Sequence, residues 1–471
     1  MHAVFVIPGT MGTELHLSPS GGEKPETVWP PTALETQFGY ERREKLASNL
    51  VVPGKIIESV LCFDFYGPLF SCLNDFGFTE DGHEKRLIPF PYDWRQDLFK
   101  TTDALADAID TAHREGASRI SLVAHSMGGL IARLLLEDLK WRDRPWFKAI
   151  DQFIAIATPH LGAPLALGRV LGVDSALGIS GEDFAWLASR EEFPSAYQLL
   201  PPPGEEVCWN QSDDSLASID IYAAGPERLG LNAALLSRAK ALHKVLAANS
   251  TPPGVRYFYF AATGHRTATR VNVFQSGAGA IDASRTGMTL TPDGGDGTVP
   301  LFSALPHVGQ RHVATNEHAT AFKGGAFRKV FVRLLGGYEG PALEAFALVK
   351  EDRIALSIEA PIVTAGAEIE VLLYSVPDAD DAHGEFEEIC GELVLRMVRE
   401  GKTAVEAEVH RVPVTYSGPR ISRLRLYLAP LDAPGHYQLS FEGKPGSAGP
   451  EAFAVCARLP QAVRTPGKTS S

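Results

Sequence analysis

Residues 119–133 read RISLVAHSMGGLIAR, and the two halves of that stretch carry different periodicities. Ile120, Leu122 and Val123 are β-formers, whereas Leu130, Ile131, Leu134 and Leu135 recur at the spacing of one helix face. Strand and helix meet with no loop between them, so Ser126 falls on the turn. A turn this tight leaves little room around the serine backbone, so the positions two before and two after it must be small. They are Ala124 and Gly128. The spacing predicts a Ser126 hydroxyl lifted above a sheet, with the Met127 N–H at the helix N-terminus facing a developing oxyanion. The competing reading is a Gly-rich strand-to-helix junction that carries a surface serine.

Outward from this turn, residues 1–336 alternate short apolar strands with amphipathic helices, the pattern of a mostly parallel sheet covered on both faces. Strands are expected at 3–7, 120–124, 152–157 and 255–261. Helices are expected at 102–114, where Leu105, Ile109 and Ala112 share a face, and at 327–335, where Phe327, Val330, Phe331 and Leu334 do. Two segments break the alternation and read as a lid, about 13–55, and a cap, about 162–253. The cap holds Phe184, Trp186, Leu187, Phe193, Tyr197, Leu199 and Leu200, which either line an acyl pocket or pack as the cap's own core.

Residues 337–345, with Gly337, Gly340 and Pro341, read as a linker, and the character of the chain then changes. Period-two runs at 353–358, 368–373, 393–398, 404–409, 423–428 and 437–441 are separated by turn residues, which predicts an antiparallel β-sandwich over 346–460. The acidic stretch Asp378, Asp380, Asp381, Glu385, Glu387 and Glu388 reads as a solvated loop or a Ca²⁺ site, and it has no ligand spacing with a turn glycine. Residues 461–471 read as a disordered tail.

At 471 residues, with 45% hydrophobic and 21% charged, the chain supports one large and one small domain. A formal net charge of −13 and the lack of a Lys/Arg-dense run argue against a nucleic-acid partner. The N-terminus has no basic leader, and its apolar run is short enough to be a first core strand. The expectation is a cytoplasmic protein, with export by a leaderless route left open. Five scattered cysteines without a CxxC pair fit a reduced compartment, a Cys62–Cys72 bridge being the one pairing left open.

A serine hydroxyl is a poor nucleophile at neutral pH, so Ser126 needs a histidine to take its proton and an acid to hold that imidazole. Downstream, PDGGDGTVP offers Asp293 and Asp296, and RHVATNEHAT offers His312 and His318. Asp296, crowded by glycines ahead of Val299 and Pro300, is favoured over Asp293. His318, in a polar loop, is favoured over His312, which stands beside Val313 in a possible strand. The order Ser126, Asp296, His318 is that of an α/β-hydrolase. A second oxyanion donor is expected from the loop after the first strand, where IPGTMG bends through Pro8, Gly9 and Gly12. The Thr10 N–H is the choice, a simple Gly-rich turn being the alternative. No metal or cofactor signature is present.

Seven motifs together carry a family resemblance: IPGTMGT at the first strand, FPYDWR at 90–95, AHSMGG around Ser126, IATPHLGAP at 156–164, PSAYQLLP at 194–201, GDGTVP at 295–300 and EHAT around His318. The first 336 residues resemble the lecithin:cholesterol acyltransferase family, with its phospholipid:diacylglycerol acyltransferase and lysosomal phospholipase A2 relatives. The resemblance implies an α/β-hydrolase with cap and lid, Ser126, Asp296 and His318 as triad, and Thr10 and Met127 as oxyanion donors. The implied substrate is a glycerolipid acyl ester, attacked through an acyl-Ser126 intermediate, with water or an acceptor alcohol completing the turnover and transient contact with a lipid surface. Two other readings stand beside it: a soluble esterase for small or non-lipid esters, and a catalytically silent binding protein. Oligomeric state is not legible.

Overall fold

The computed structural model describes residues 1–18, 25–60, 63–212, 217–248, 250–275, 281–282, 284–306, 310–323, 325–336, 354–358, 362–375, 386–399 and 405–457. The expected linker at 337–345, the tail at 461–471, residues 378–385 of the acidic stretch, and Cys62 with its pairing lie outside these.

Chain segments 1–30, 42–175 and 180–349 make one compact unit. Its centre is a six-stranded sheet of β1 (His2–Ile7), β2 (Lys85–Pro89), β3 (Arg119–His125), β4 (Ile150–Ile156), β5 (Arg256–Thr263) and β6 (Gln310–Thr315), in the order β6-β5-β4-β3-β1-β2. Every neighbouring pair is parallel. β1, β3 and β4 are buried along nearly their whole length, as strands covered on both faces must be. Val4, Val6, Val123, Ile154 and Ile156 share one face with Phe327 and Phe331 of helix 325–334. Phe5, Leu122 and Phe153 sit at the intervening register positions and so project to the opposite face. This is the α/β-hydrolase arrangement expected from the sequence.

Two helices matter most for the site. α1 (Leu98–Arg114) starts where Asp97 Oδ1 accepts the Phe99 N–H at 3.0 Å, and it buries Leu98, Leu105, Ile109 and Ala112 along one stripe. α2 (Met127–Glu137) follows β3 directly and is buried throughout. β1 lies inside the sheet, with β2 on one side and β3 on the other, so the winding direction reverses between β1 and β3. Such a reversal leaves a crevice beyond the carboxyl ends of those two strands. Ser126 and the 8–12 loop both stand at those ends.

The two insertions acquire structure of their own. Strands 13–17, 26–29 and 51–56 form a small antiparallel sheet. In the 162–253 segment Tyr197 and Leu200 are buried with Leu167, Val170, Leu235 and Val271, while Phe184 and Phe193 are also buried. Trp186, Leu187 and Leu199 are only half-buried, so packing accounts for four of the seven side chains named above.

The second unit gathers 31–41, 176–179 and 350–471. Its strands are β7 (Ile354–Ile358), β8 (Ile362–Thr364), β9 (Ile369–Ser375), β10 (Phe386–Arg399), β11 (Val405–Ile421), β12 (Arg423–Leu428), β13 (Gly435–Lys444) and β14 (Ala448–Cys456). One sheet runs β7-β9-β12 and the other β8-β14-β13-β10-β11. Leu356, Val371 and Leu373 of the first share a core with Ile389, Leu393, Leu439, Phe441 and Phe453 of the second, so the sheets face each other as a sandwich. All pairs are antiparallel except β8 with β14. The short helix Ala33–Phe38, closed by a reciprocal Thr32–Glu35 capping box, belongs to this unit. Among the described residues no helix is long and apolar enough to cross a membrane.

Candidate active site

Ser126 terminates β3 and opens α2 with φ 53° and ψ −128°, a conformation that costs a non-glycine residue energy and persists only where its surroundings enforce it. The enforcement comes from close backbone approach. The Ser126 N–H donates to the Ile156 carbonyl at 2.8 Å, and the Gly129 N–H donates to the Ser126 carbonyl at 2.9 Å. A Cβ on Gly128 would stand 2.5 Å from the carbonyl oxygens of Ile7 and Pro8, and one on Gly9 would stand 2.6 Å from Ser126 Cβ. Gly128 is therefore small for the reason the sequence suggested. Gly9 has the same constraint from the opposite side, because the 8–12 loop lies directly against the serine.

Asp296 follows strand 287–295 and is fully buried. Its Oδ1 accepts the N–H groups of Thr298 at 3.0 Å and Val299 at 2.6 Å, which leaves Oδ2 to accept from His318 Nδ1 at 2.8 Å. His318 is the first residue of a short 3₁₀ turn, and its own N–H donates to the Asp296 carbonyl at 2.9 Å. The other ring nitrogen, Nε2, lies 2.9 Å from Ser126 Oγ. A carboxylate can only accept, so the Nδ1 proton is fixed and the Nε2 lone pair faces the serine hydroxyl. The structure thus brings Ser126, His318 and Asp296 into one chain of hydrogen bonds. It places the alternatives elsewhere: Asp293 is exposed, its carbonyl accepting from Thr263 Oγ1 at 2.8 Å, and His312 lies in β6 edge-on to Phe260.

Thr10 and Met127 sit side by side, the Thr10 hydroxyl donating to Met127 Sδ at 3.3 Å. Met127 is the first residue of α2, and an N–H at that position has no acceptor within its own helix. The 8–12 loop is pinned by three aromatic side chains. Tyr92 donates to the Pro8 carbonyl at 2.7 Å, Trp29 Nε1 donates to the Met11 carbonyl at 2.8 Å, and Tyr66 Oη accepts the Gly9 N–H at 2.7 Å. Among the described residues no cluster of His, Cys, Asp and Glu forms a metal centre.

Sequence reasoning missed His125. Its Nδ1 lies 2.7 Å from Tyr66 Oη and its Nε2 3.0 Å from the His318 carbonyl. Burial, with His318 beside it, pushes its pKa down to about 3. His160, buried in the loop after β4 and facing Tyr259, is likewise held well below the ordinary histidine value by burial, with Arg133 adding to the effect. Between about pH 3 and 6.5 the unfolded chain therefore binds a proton that folded His125 refuses, and His160 acts in the same direction below about pH 6.5, so acid favours unfolding. The stability these neutral rings allow is intact above about pH 6.5. Below it, each is expected to steepen the loss by about 1.4 kcal/mol per pH unit. Urea midpoints measured between pH 7.5 and 4.5 test this: the midpoint should fall below pH 6.5, and His160→Phe should flatten the fall. A midpoint unchanged down to pH 5 would contradict it.

Residues 59–233 match the family model described as lecithin:cholesterol acyltransferase. The chain is similar to lecithin-cholesterol acyltransferase-like 4 of Arabidopsis thaliana, with 26% identity over 278 residues covering 49% of this chain and 50% of that protein. The chain thus spans about half the length of that curated relative. Among solved structures, a chain of the Tle4–Tli4 complex aligns over 72% of this chain and 99% of its own at 13% identity and a TM-score of 0.49. The mature Bacillus licheniformis lipase BlEst2 aligns over 70% and 91% at 14% identity and a TM-score of 0.33.

Proposed function

We propose that this member of the lecithin:cholesterol acyltransferase family is a serine-dependent enzyme that cleaves or transfers fatty acyl groups of glycerolipids. Family membership supports acyltransferase and lipase-like chemistry in general. The serine mechanism and the lipid substrate are our reading. The observation that carries it is the unbroken contact from Ser126 Oγ through both nitrogens of His318 to Asp296 Oδ2, at 2.9 and 2.8 Å.

In this reading Ser126 Oγ attacks the ester carbonyl carbon while its proton passes to His318 Nε2. Asp296 stabilises the imidazolium, with its second oxygen already satisfied by two backbone N–H groups. Negative charge collects on the former carbonyl oxygen, and the N–H groups of Met127 and Thr10 receive it. Each such donor is typically worth about 10²- to 10³-fold in rate. The tetrahedral adduct collapses, the alcohol leaves with the proton from His318, and an acyl-Ser126 ester remains. His318 then deprotonates the acceptor: water gives a free fatty acid, and an alcohol gives a new ester.

The packed interior of the 162–253 segment, with Phe184, Phe193 and Tyr197 buried, favours a second reading in which the substrate is a shorter ester. One experiment separates the two. Wild type and Ser126→Ala are incubated with mixed phospholipid micelles, with and without a long-chain alcohol, and in parallel with short activated esters. Ser126-dependent fatty acid or alkyl ester from the micelles supports lipid acyl chemistry, and turnover of short esters alone supports the second reading. No Ser126-dependent product from any substrate leaves the protein as a binding module.

A further inference from the structure

We propose that Tyr66 and His125 are positioning residues that tie the 8–12 loop to His318, so that the oxyanion donors and the base are held as one rigid assembly. The inference rests on the serine-enzyme reading above. Its evidence is a hydrogen-bond chain that admits one arrangement of protons. The His318 carbonyl can only accept, so at 3.0 Å His125 Nε2 must carry the proton. A neutral ring protonated at Nε2 has a lone pair at Nδ1, so the Tyr66 hydroxyl, 2.7 Å away, must donate to it. The Tyr66 oxygen is then left to accept, and it receives the Gly9 N–H at 2.7 Å. The chain runs from Gly9 N–H through Tyr66 and His125 to the His318 carbonyl, and every link is satisfied.

Both relay side chains are buried, Tyr66 at 4% and His125 at 6% exposure, so bulk water is poorly placed to substitute for a lost link. The downward shift of His125 keeps it in the neutral form the chain requires at all ordinary pH. Position explains the consequence. Gly9 is the residue before Thr10 and lies against Ser126, while His318 is otherwise fixed by its N–H and ring to Asp296. With the relay intact the carbonyl side of His318 is anchored as well, and the anchor is the same loop that holds the second oxyanion donor. Misplacement by about 1 Å in such a constellation can cost about 10²-fold in rate.

Tyr66 stacks on Phe322 with ring centroids 5.6 Å apart, so Tyr66→Phe keeps the packing and removes only the hydroxyl. Steady-state hydrolysis of p-nitrophenyl butyrate is the assay. Tyr66→Phe and His125→Leu are each expected to lower kcat about tenfold or more, with KM within about twofold. His125→Gln, whose side-chain N–H can still reach the His318 carbonyl, should recover most of that loss. The double variant Tyr66→Phe/His125→Leu should be no worse than the poorer single variant, as for two links of one chain. A general loss of folded protein would lower activity without separating Gln from Leu. If Tyr66→Phe proves unfolded by near-ultraviolet circular dichroism, the Gln and Leu variants decide alone. Wild-type kcat in His125→Leu, or equal losses in His125→Gln and His125→Leu, overturns the relay. A wild type with no Ser126-dependent turnover overturns the serine-enzyme reading and the relay with it.

Discussion

Ser126→Ala, His318→Ala and the double variant are expected to lose kcat to the same extent, by about 10⁴- to 10⁶-fold, because in the proposed mechanism a nucleophile without its base and a base without its nucleophile are equally idle. Asp296→Asn is the more discriminating change. Its carbonyl oxygen can still accept the Thr298 and Val299 N–H groups, so the turn should hold and the thermal midpoint should move little. Its NH₂ group would face His318 Nδ1 and force the proton to Nε2. The ring would then present a donor to Ser126 Oγ, where the proposed mechanism needs an acceptor. The expected cost is about 10⁴-fold in kcat with KM nearly unchanged. His318→Ala within tenfold of wild type would remove the base from the mechanism, and Asp296→Asn at wild-type rate would remove the orienting role of the carboxylate.

The parts of this site that were legible in the sequence are those with a local steric signature. The turn at Ser126 requires small residues at fixed offsets, and the change from period two to period 3.6 on either side of it placed β3 to within one residue at each end and located the start of α2. Asp296 and His318 could be nominated because chemistry demands an acid and a base in a given chain order, and because a glycine-rich turn and a polar loop differ in character from their neighbours. Tyr66 and His125 could not. A hydrogen bond between residues 59 apart leaves no spacing to detect, and a histidine next to the serine reads as one more strand residue. The same limit applies to the fold. Alternating runs announced six of the sandwich strands but neither β8 nor β14, and the pairing of those two depends on chain direction in three dimensions and is parallel. β2, with the sequence KRLIP, has too few apolar residues to stand out, since it is the last strand of the sheet, paired with β1 on one side and touching only an isolated bridge at Thr79 on the other. The grouping of 31–41 and 176–179 with the C-terminal strands is likewise a tertiary fact with no local cause.

Arg95→Met is expected to destabilise the fold by about 3 to 5 kcal/mol, because it strands a buried carboxylate. Arg95 is 1% exposed and grips Asp93 with both arms of its guanidinium, Nε to Oδ1 at 2.8 Å and Nη2 to Oδ2 at 2.6 Å. Its remaining amine donates to the carbonyls of Leu46 and Ser48, and the guanidinium plane lies 4.2 Å over the Phe193 ring. One side chain therefore joins the 42–48 segment, the 90–96 segment and the 162–253 insertion around the site. Lysine offers a point charge on a flexible stem and cannot reproduce the two-armed contact, so Arg95→Lys should recover little of the loss. Removing both charges should recover more. Asp93→Asn/Arg95→Met leaves no uncompensated ion, and its urea midpoint should lie above that of Arg95→Met alone. If Arg95→Met loses less than about 1 kcal/mol, the ion pair is not what holds these segments, and the Phe193 and Trp94 packing around it must carry that task.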